Sequence, residues 1–523
     1  MTRVLLTFIS IFFLTIPLFA QSLSVDTAWV RRYNGPANGY DGANDMAVDS
    51  YGNVFVTGYS EGSGTNYDYL TIKYYSNGAT AWEGRYNGLG SNDDRAGALV
   101  VDDSGFVYVT GWSDQVSGAQ VNYDYTTIKY KPNGDTAWVR KYNGTGNGDD
   151  FAYGIAIDDS GNVYVTGESK GSGTDNDYAT IKYNRNGGVV WEKRYDGPIN
   201  AKDFPSTFHP IAVDYLHNVY VCGVSSGGAT DYDYATIKYH QDGDTAWVRR
   251  YNGPRDSADF ALGIAVDDSG YVYVTGGSTG IGTNLDYLTV KYRSNGDTLW
   301  TRRYYCNADG QDVGLSIAVD KSGNIYVTGQ SYDTTTGYGL DFATIKYYSG
   351  GDTAWVRRYS RPPNCGDNAF DLAIDNKGNT YATGYTKCTG DPPRWDYATI
   401  KYDSIGNLLW DKIYDGPASD SDKAYAIALD DKGSVYVTGG SFGVGSYYDY
   451  LTIKYVQFLR GDANSDKKVT IADIVFLVSY LFKHGPAPVP IQSGDANCDG
   501  NVTIADIVYL VAYLFKHGPV PCI

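Results

Sequence analysis

Two short stretches near the C-terminus place oxygen-bearing side chains at a spacing that suits a hard metal ion. In GDANSDKKVTIADI, Asp462, Asn464, Asp466 and Asp473 stand at positions 1, 3, 5 and 12 of a loop, and in GDANCDGNVTIADI the same positions hold Asp495, Asn497, Asp499 and Asp506. Ca²⁺ takes about six to eight oxygen ligands, and this spacing wraps a short loop so that carboxylates, an amide oxygen and the position 7 carbonyls of Lys468 and Asn501 converge. Two copies predict two Ca²⁺ ions. Position 6 favours glycine, because the turn needs φ > 0. Gly500 satisfies it, whereas Lys467 in the first loop costs about 1 kcal/mol of local strain.

Other chemistry-bearing residues are less organised. The five histidines, His209, His217, His240, His484 and His517, are scattered, and no HExxH, GxSxG or phosphate-cradling loop occurs. Two carboxylates would serve a glycosidase. Of the 60 acidic residues, however, all but Glu61, Glu83, Glu168 and Glu192 are aspartates, too many for spacing to single out a pair. Eight of them, Asp41, Asp94, Asp150, Asp203, Asp259, Asp312, Asp367 and Asp422, recur at one point of a repeat. They would either form a polyanionic rim for a cation or basic ligand, or each cap its own loop through backbone N–H groups; recurrence in every unit favours capping. Trp112 and Trp395 stand outside the repeated tryptophan position, and Tyr447 and Tyr448 are adjacent. Their rings suit stacking on sugars, but packing between repeats is the simpler expectation.

The elements that must position these groups are set by repetition. DYLTIKY at Asp68 recurs, with small changes, at Asp124, Asp177, Asp233, Asp286, Asp341, Asp396 and Asp449, at intervals of 53 to 56 residues. Each copy follows a tryptophan strand and a hairpin such as IAIDDSGNVYVTG at Ile155–Gly167, which gives four strands per unit. A four-stranded unit cannot bury both faces alone, so radial closure of eight units into a propeller is predicted over a parallel solenoid. With the small apolar strand innermost, the first tryptophan strand, Asp26–Tyr33, has no preceding blade. It is expected to complete the last blade, Tyr425–Tyr455. The fourth unit departs most, with Phe204, Pro205, Phe208, His209 and Pro210 before its inner strand and His217 in its turn.

The segments VYVTG and DYATIKY resemble the bacterial SBBP-type β-propeller repeat family over roughly residues 26 to 455; the family name implies seven blades, whereas this chain has eight units. From Gly461 the duplicated GDAN…KHGP segment resembles a type I dockerin, the module by which secreted polysaccharide-degrading proteins attach to cohesin domains. The resemblance implies a cohesin-like or other extracellular partner. It also implies that loop positions 10 and 11, Ile471 and Ala472 in one half and Ile504 and Ala505 in the other, contribute to partner choice. Identity of these pairs implies binding in two symmetry-related orientations. Their apolar character differs from the hydroxyl residues common in cellulosomal dockerins, which points to a divergent cohesin or to docking on the propeller itself.

The net charge of −18 and pI near 4.6, without a basic run, argue against nucleic acid. Arg3, the apolar run Val4–Phe19 and Ala20 have the order of a signal peptide cleaved after residue 20, too short and Pro-broken to span a membrane. Outside the cell, Cys498 and Cys522 are expected to pair, and Cys365 and Cys388 are a second candidate pair; Cys222 is expected as a buried thiol and Cys306 has no evident partner. The expected organisation is therefore a signal peptide (1–20), an all-β eight-bladed propeller with N-terminal strand closure (26–457) and a small α-helical calcium-binding dockerin (460–523). The leading function is a secreted, non-catalytic binding or scaffold protein docked by Ca²⁺ into an extracellular or cell-surface assembly concerned with polysaccharide. The alternatives are a glycan-active propeller hydrolase and a structural surface component.

Overall fold

A computed structural model describes residues 23–90, 92–115, 121–228, 231–306, 310–333, 339–361, 366–388, 394–516 and 518–521. The expected leader and its cleavage point lie outside them. The described chain divides into a propeller unit, Thr27–Tyr455, and a second unit that contains Val456–Ile523.

The propeller comprises eight antiparallel sheets. Blade 1 is built from Asp41–Val48, Val54–Glu61, Tyr67–Tyr74 and Thr80–Tyr86, in that order from the channel outward. The inner strands of the following blades are Asp94–Val101, Asp150–Ile157, Asp203–Pro205 with Ile211–Val213, Asp259–Val266, Asp312–Val319, Gly366–Ile374 and Asp422–Leu429. Each inner strand touches the next around the ring, and the last returns to the first. The strand Ser24–Tyr33 pairs with Tyr448–Phe458 as the outer strand of blade 8, as the phase of the repeat predicts.

The repeated residues are the cement between blades. Tyr69 Oη donates to Thr126 O at 2.9 Å, Tyr287 Oη to Ala343 O at 3.0 Å, and across the seam Tyr450 Oη to Leu70 O at 2.9 Å. The lysine of each IKY segment works the same way: Lys238 Nζ donates to Ser294 O at 3.0 Å and Lys454 Nζ to Ser76 O at 3.1 Å. A buried amine or phenol needs such a partner, because an unmade hydrogen bond costs about 1–3 kcal/mol. Repetition of DY and IKY is thereby explained without a ligand.

Blade 4 is the exception. Pro205 and Pro210 have no N–H for the ladder, and its inner strand breaks into two three-residue pieces around residues 206–210. His209 instead forms a parallel bridge to Gly263 of blade 5, donating its N–H to Leu262 O at 3.3 Å and accepting from Ile264 N at 3.2 Å. Its Nε2 lies 3.3 Å from Asp371 Oδ1 on the inner strand of blade 7.

The second unit packs α1 (Ile471–Lys483) against α2 (Ile504–Lys516) around Ala463, Leu477, Ala496 and Leu510. No helix among the described residues is long and apolar enough to cross a membrane.

Candidate calcium loops and docking surface

The two C-terminal loops are alike bond for bond. Asp473, at position 12, accepts Asn464 N–H at 3.1 Å and Thr470 N–H at 2.8 Å; Asp506 accepts Asn497 N–H at 3.2 Å and Thr503 N–H at 2.8 Å. Asp462 accepts the N–H groups of Asp466 and Lys467 at 2.9 and 2.7 Å, and Asp495 those of Asp499 and Gly500, both at 3.2 Å. Asn464 and Asn497 reach Asp466 and Asp499 through their amides at 3.2 and 3.1 Å. Position 5 in turn accepts from position 7, Lys468 N–H and Asn501 N–H, at 2.9 Å in each loop. These bonds fold all ten sequence-predicted ligand residues into two closed turns.

Position 12 has a second task. Thr470 caps α1 by accepting Ala472 N–H at 3.1 Å while Asp473 returns to Thr470 N–H, a complete capping box. Thr503 and Asp506 repeat the arrangement at α2, with Ala505 N–H at 3.1 Å. Loop closure and helix initiation thus share one carboxylate.

The electrostatics suit a cation. Burial raises Asp462 above the usual carboxylate range, against the Lys467 and Asp466 N–H groups, with Asp473 and Asp466 adding to the rise. Burial likewise raises Asp473 and Asp506, with Asp466 and Asp495 respectively adding to it. A divalent ion removes that mutual repulsion. Arg460 breaks the symmetry, its Nη1 lying 3.0 Å from Asp495 Oδ2.

Position 6 is left-handed in both loops, Lys467 at φ 68° and Gly500 at φ 87°. Position 4 is also left-handed, Ser465 at φ 61° and Cys498 at φ 60°, a feature that spacing of the ligands alone did not indicate. At the end of α1 it is His484 itself that adopts φ 56°, not the glycine after it. Gly485 is required for a different reason: a Cβ there would lie 2.4 Å from Ser479 Oγ. His517 lies outside the described residues.

Beyond each loop the helix begins with the predicted partner residues. Ile471, Ala472, Ile504 and Ala505 are all exposed. The exposed surface extends past them: Ile471, Val475 and Phe482 on α1, and Ile504, Val508 and Phe515 on α2, are each 60–63% exposed. Positions i, i+4 and i+11 fall within about 40° around a helix, so each triplet forms one stripe. Val475, Phe482, Val508 and Phe515 were not singled out from the sequence, although the stripe follows from their spacing.

Cys498 is disulfide-bonded; its expected partner Cys522 lies outside the described residues, as do Cys365 and the side chain of Cys388. Cys222 is buried and Cys306 partly exposed, both as free thiols.

In the propeller the eight recurrent aspartates cap their own loops. Each is fully buried and accepts the N–H of the residue six positions earlier, from Gly35 to Asp41 at 2.7 Å through Gly416 to Asp422 at 2.6 Å. A displayed polyanionic rim is thereby replaced by a set of buried turns. Trp112 packs edge-on against Phe151 at 5.4 Å, and Trp395 lies near Tyr385 with Lys423 over its face at 4.2 Å. Tyr40 and Tyr447 stack at 4.6 Å and remain partly exposed.

Fold and loops together define a β-propeller repeat protein that ends in a duplicated calcium-loop module. Four segments, 28–64, 138–173, 246–283 and 299–338, match the family described as Beta-propeller repeat (SBBP), and residues 460–515 match the Dockerin type I domain. The chain thus carries SBBP repeats followed by a type I dockerin, a calcium-binding domain whose kind binds cohesins in extracellular assemblies. No curated protein matches the chain. Among solved structures, it is similar to the WD40 domain of SCAP from fission yeast, at 10% identity and TM-score 0.43 over 83% of this chain and 98% of that one. It is also similar to an ulvan lyase of a polysaccharide lyase family, at 11% identity and TM-score 0.39 over 82% and 94% of the two chains. An α-L-arabinofuranosidase from Clostridium thermocellum is similar at 14% identity and TM-score 0.28 over 50% and 94%. Likenesses of this strength say nothing about activity.

Proposed function

We propose that this chain is a secreted, non-catalytic propeller that presents its loops within an extracellular assembly, held there by calcium-dependent docking of residues 460–523 onto a cohesin-like domain. Each loop binds one Ca²⁺ through the side chains at positions 1, 3, 5 and 12 and the carbonyl at position 7, Lys468 or Asn501. The ion fixes the capping aspartate, and thereby the direction in which each apolar stripe faces.

The observation that carries the proposal is the paired stripe: two identical loop–helix units expose Ile471, Val475, Phe482 and Ile504, Val508, Phe515 to the same extent. Apolar patches of this kind on a secreted module mark a protein contact. Because the halves are equivalent, the partner can be gripped through either one. The test is calorimetric titration of the full chain with a cohesin. Replacing Ile471 and Ala472 by aspartate leaves binding nearly intact, as does replacing Ile504 and Ala505, while the fourfold variant loses it. Loss of binding in one double variant alone would exclude the symmetric mode.

A further inference from the structure

Each blade junction brings together the aspartate that opens one blade's DYATIKY strand and the buried aspartate that opens the next inner strand; Asp68 raises Asp94, and Asp233 raises Asp259. In six blades an arginine of the outer strand neutralises the first of these. Arg32, Arg85, Arg194, Arg250, Arg303 and Arg358 lie 2.5 to 3.0 Å from Asp449, Asp68, Asp177, Asp233, Asp286 and Asp341. Blade 2 has Lys141 at this position. Blade 7 has Ile413, which pairs with Ala398 in the register where Arg194 pairs with Ala179.

The junction that lacks the arginine also gains a carboxylate. The residue after the outer-strand tyrosine is asparagine at Asn34, Asn87, Asn143 and Asn252, but aspartate at Asp415. Asp396, Asp415 and Asp422 consequently each offer an oxygen, all within 4.8 Å of one another. That is about the widest separation at which two oxygens can share one ion at Ca–O distances of about 2.4 Å.

Asp422 points to a ligand independently of the clustering. It is fully buried; Oδ2 accepts Gly416 N–H at 2.6 Å, and Oδ1 has no hydrogen-bond partner. Burial lifts its pKa to about 6, although Ser441, the Gly416 N–H and Arg32 all act the other way. The cations facing the cluster do not balance it. Arg361 Nη1 stands 3.5 Å from Asp396 Oδ2, Arg394 acts on Asp396 from further away, and Arg32 is already bonded to Asp449. The related trio Asp177, Asp196 and Asp203 keeps Arg194 at 2.9 Å, so its charge is already answered by the protein.

We propose that Asp396, Asp415 and Asp422 bind a Ca²⁺ ion at the junction of blades 7 and 8, where the ion takes the place that arginine holds in six other blades. Asp415 is exposed, so the ion is open to solvent on one side and water completes its shell. The ion bonds the outer end of blade 7 to the inner strand of blade 8 and stiffens the propeller independently of the C-terminal module.

The experiment uses the full chain with both C-terminal loops silenced by Asp462→Ala and Asp495→Ala, and measures bound Ca²⁺ by equilibrium dialysis together with propeller melting. One ion per chain and a higher melting temperature in Ca²⁺ are expected. Asp415→Asn removes both effects. Ile413→Arg also displaces the ion, but leaves the calcium-free melting temperature unchanged or higher, because it restores the arginine of the other blades. A silenced chain that binds no Ca²⁺, or an ion that persists in both Asp415→Asn and Ile413→Arg, would overturn the proposal.

Discussion

His209 Nε2 and Asp371 Oδ1 lie 3.3 Å apart, joining the insertion of blade 4 to the inner strand of blade 7. The carboxylate is anchored on both sides: Asp371 accepts Ser316 Oγ–H at 2.9 Å from blade 6 and Ile427 N–H at 3.0 Å from blade 8. Desolvation lowers the histidine pKa, but Asp371 and Asp45 outweigh it, so the net shift is upward from 6.5. Asp45, tied to Leu99 N–H at 2.7 Å, is itself pushed up to about 6 by burial, with His209 opposing.

A histidine whose pKa rises on folding adds stability that is full below its unfolded value and is lost as pH climbs through the folded one. Replacing His209 by alanine should therefore lower the propeller's melting temperature more at about pH 5.5 than at about pH 8.5. Equal losses at both would show that only the backbone bridge to Gly263 matters.

The buried carboxylates predict an unusual pH profile for the whole propeller. Burial raises Asp41, Asp94, Asp367 and Asp422 to about 6, and Asp124 to about 7. The native state then binds more protons than the unfolded state from 3.8 up to those values, and stability falls as pH rises through that window. Turn aspartates such as Asp158 and Asp320, held below 3.8, oppose this only in stronger acid. In calcium-free buffer the melting temperature should be higher at about pH 5 than at about pH 8; the reverse order would contradict these shifts.

Closure by the N-terminal strand makes a separate prediction. Trp29 is 7% exposed, packs near Tyr74 of blade 1 and Tyr436 of blade 8, and donates Nε1–H to Ser76 O at 3.2 Å. Trp29→Ala should cost about 3–5 kcal/mol, and deletion of residues 21–34 should lower the melting temperature further. An unchanged melt would mean that the ring does not depend on this seam.

Lys467 offers a test of the loop geometry. At φ 68° it sits where Gly500 sits in the second loop, so Lys467→Gly should strengthen Ca²⁺ binding at site one by about 1 kcal/mol. Asp495→Ala should harm the module more than Asp462→Ala, since site one is the strained one. Both effects are read from the helical circular-dichroism signal during calcium titration.

The legible parts of this molecule are those fixed within one repeat. The DYATIKY spacing determines the blade, and the orphan strand ending at Tyr33 determines the seam. The loops from Asp462 and Asp495 carry their chemistry in local order. What the sequence did not disclose depends on ring closure. His209 meets Asp371, and Asp396 meets Asp422, only because separate blades converge, and neither pair has a local motif. Left-handed Ser465, Cys498 and His484 escaped notice for a smaller reason: none is glycine, the residue by which such turns are ordinarily recognised.

The central claim is that calcium makes residues 460–523 a docking module, and it is tested most directly by measuring cohesin binding to the full chain by surface plasmon resonance with Ca²⁺ present and then after chelation. Saturable binding in Ca²⁺ that disappears in chelator and returns on adding Ca²⁺ back is the predicted result. Binding of equal strength in chelator, or no binding to any cohesin in Ca²⁺, would contradict it.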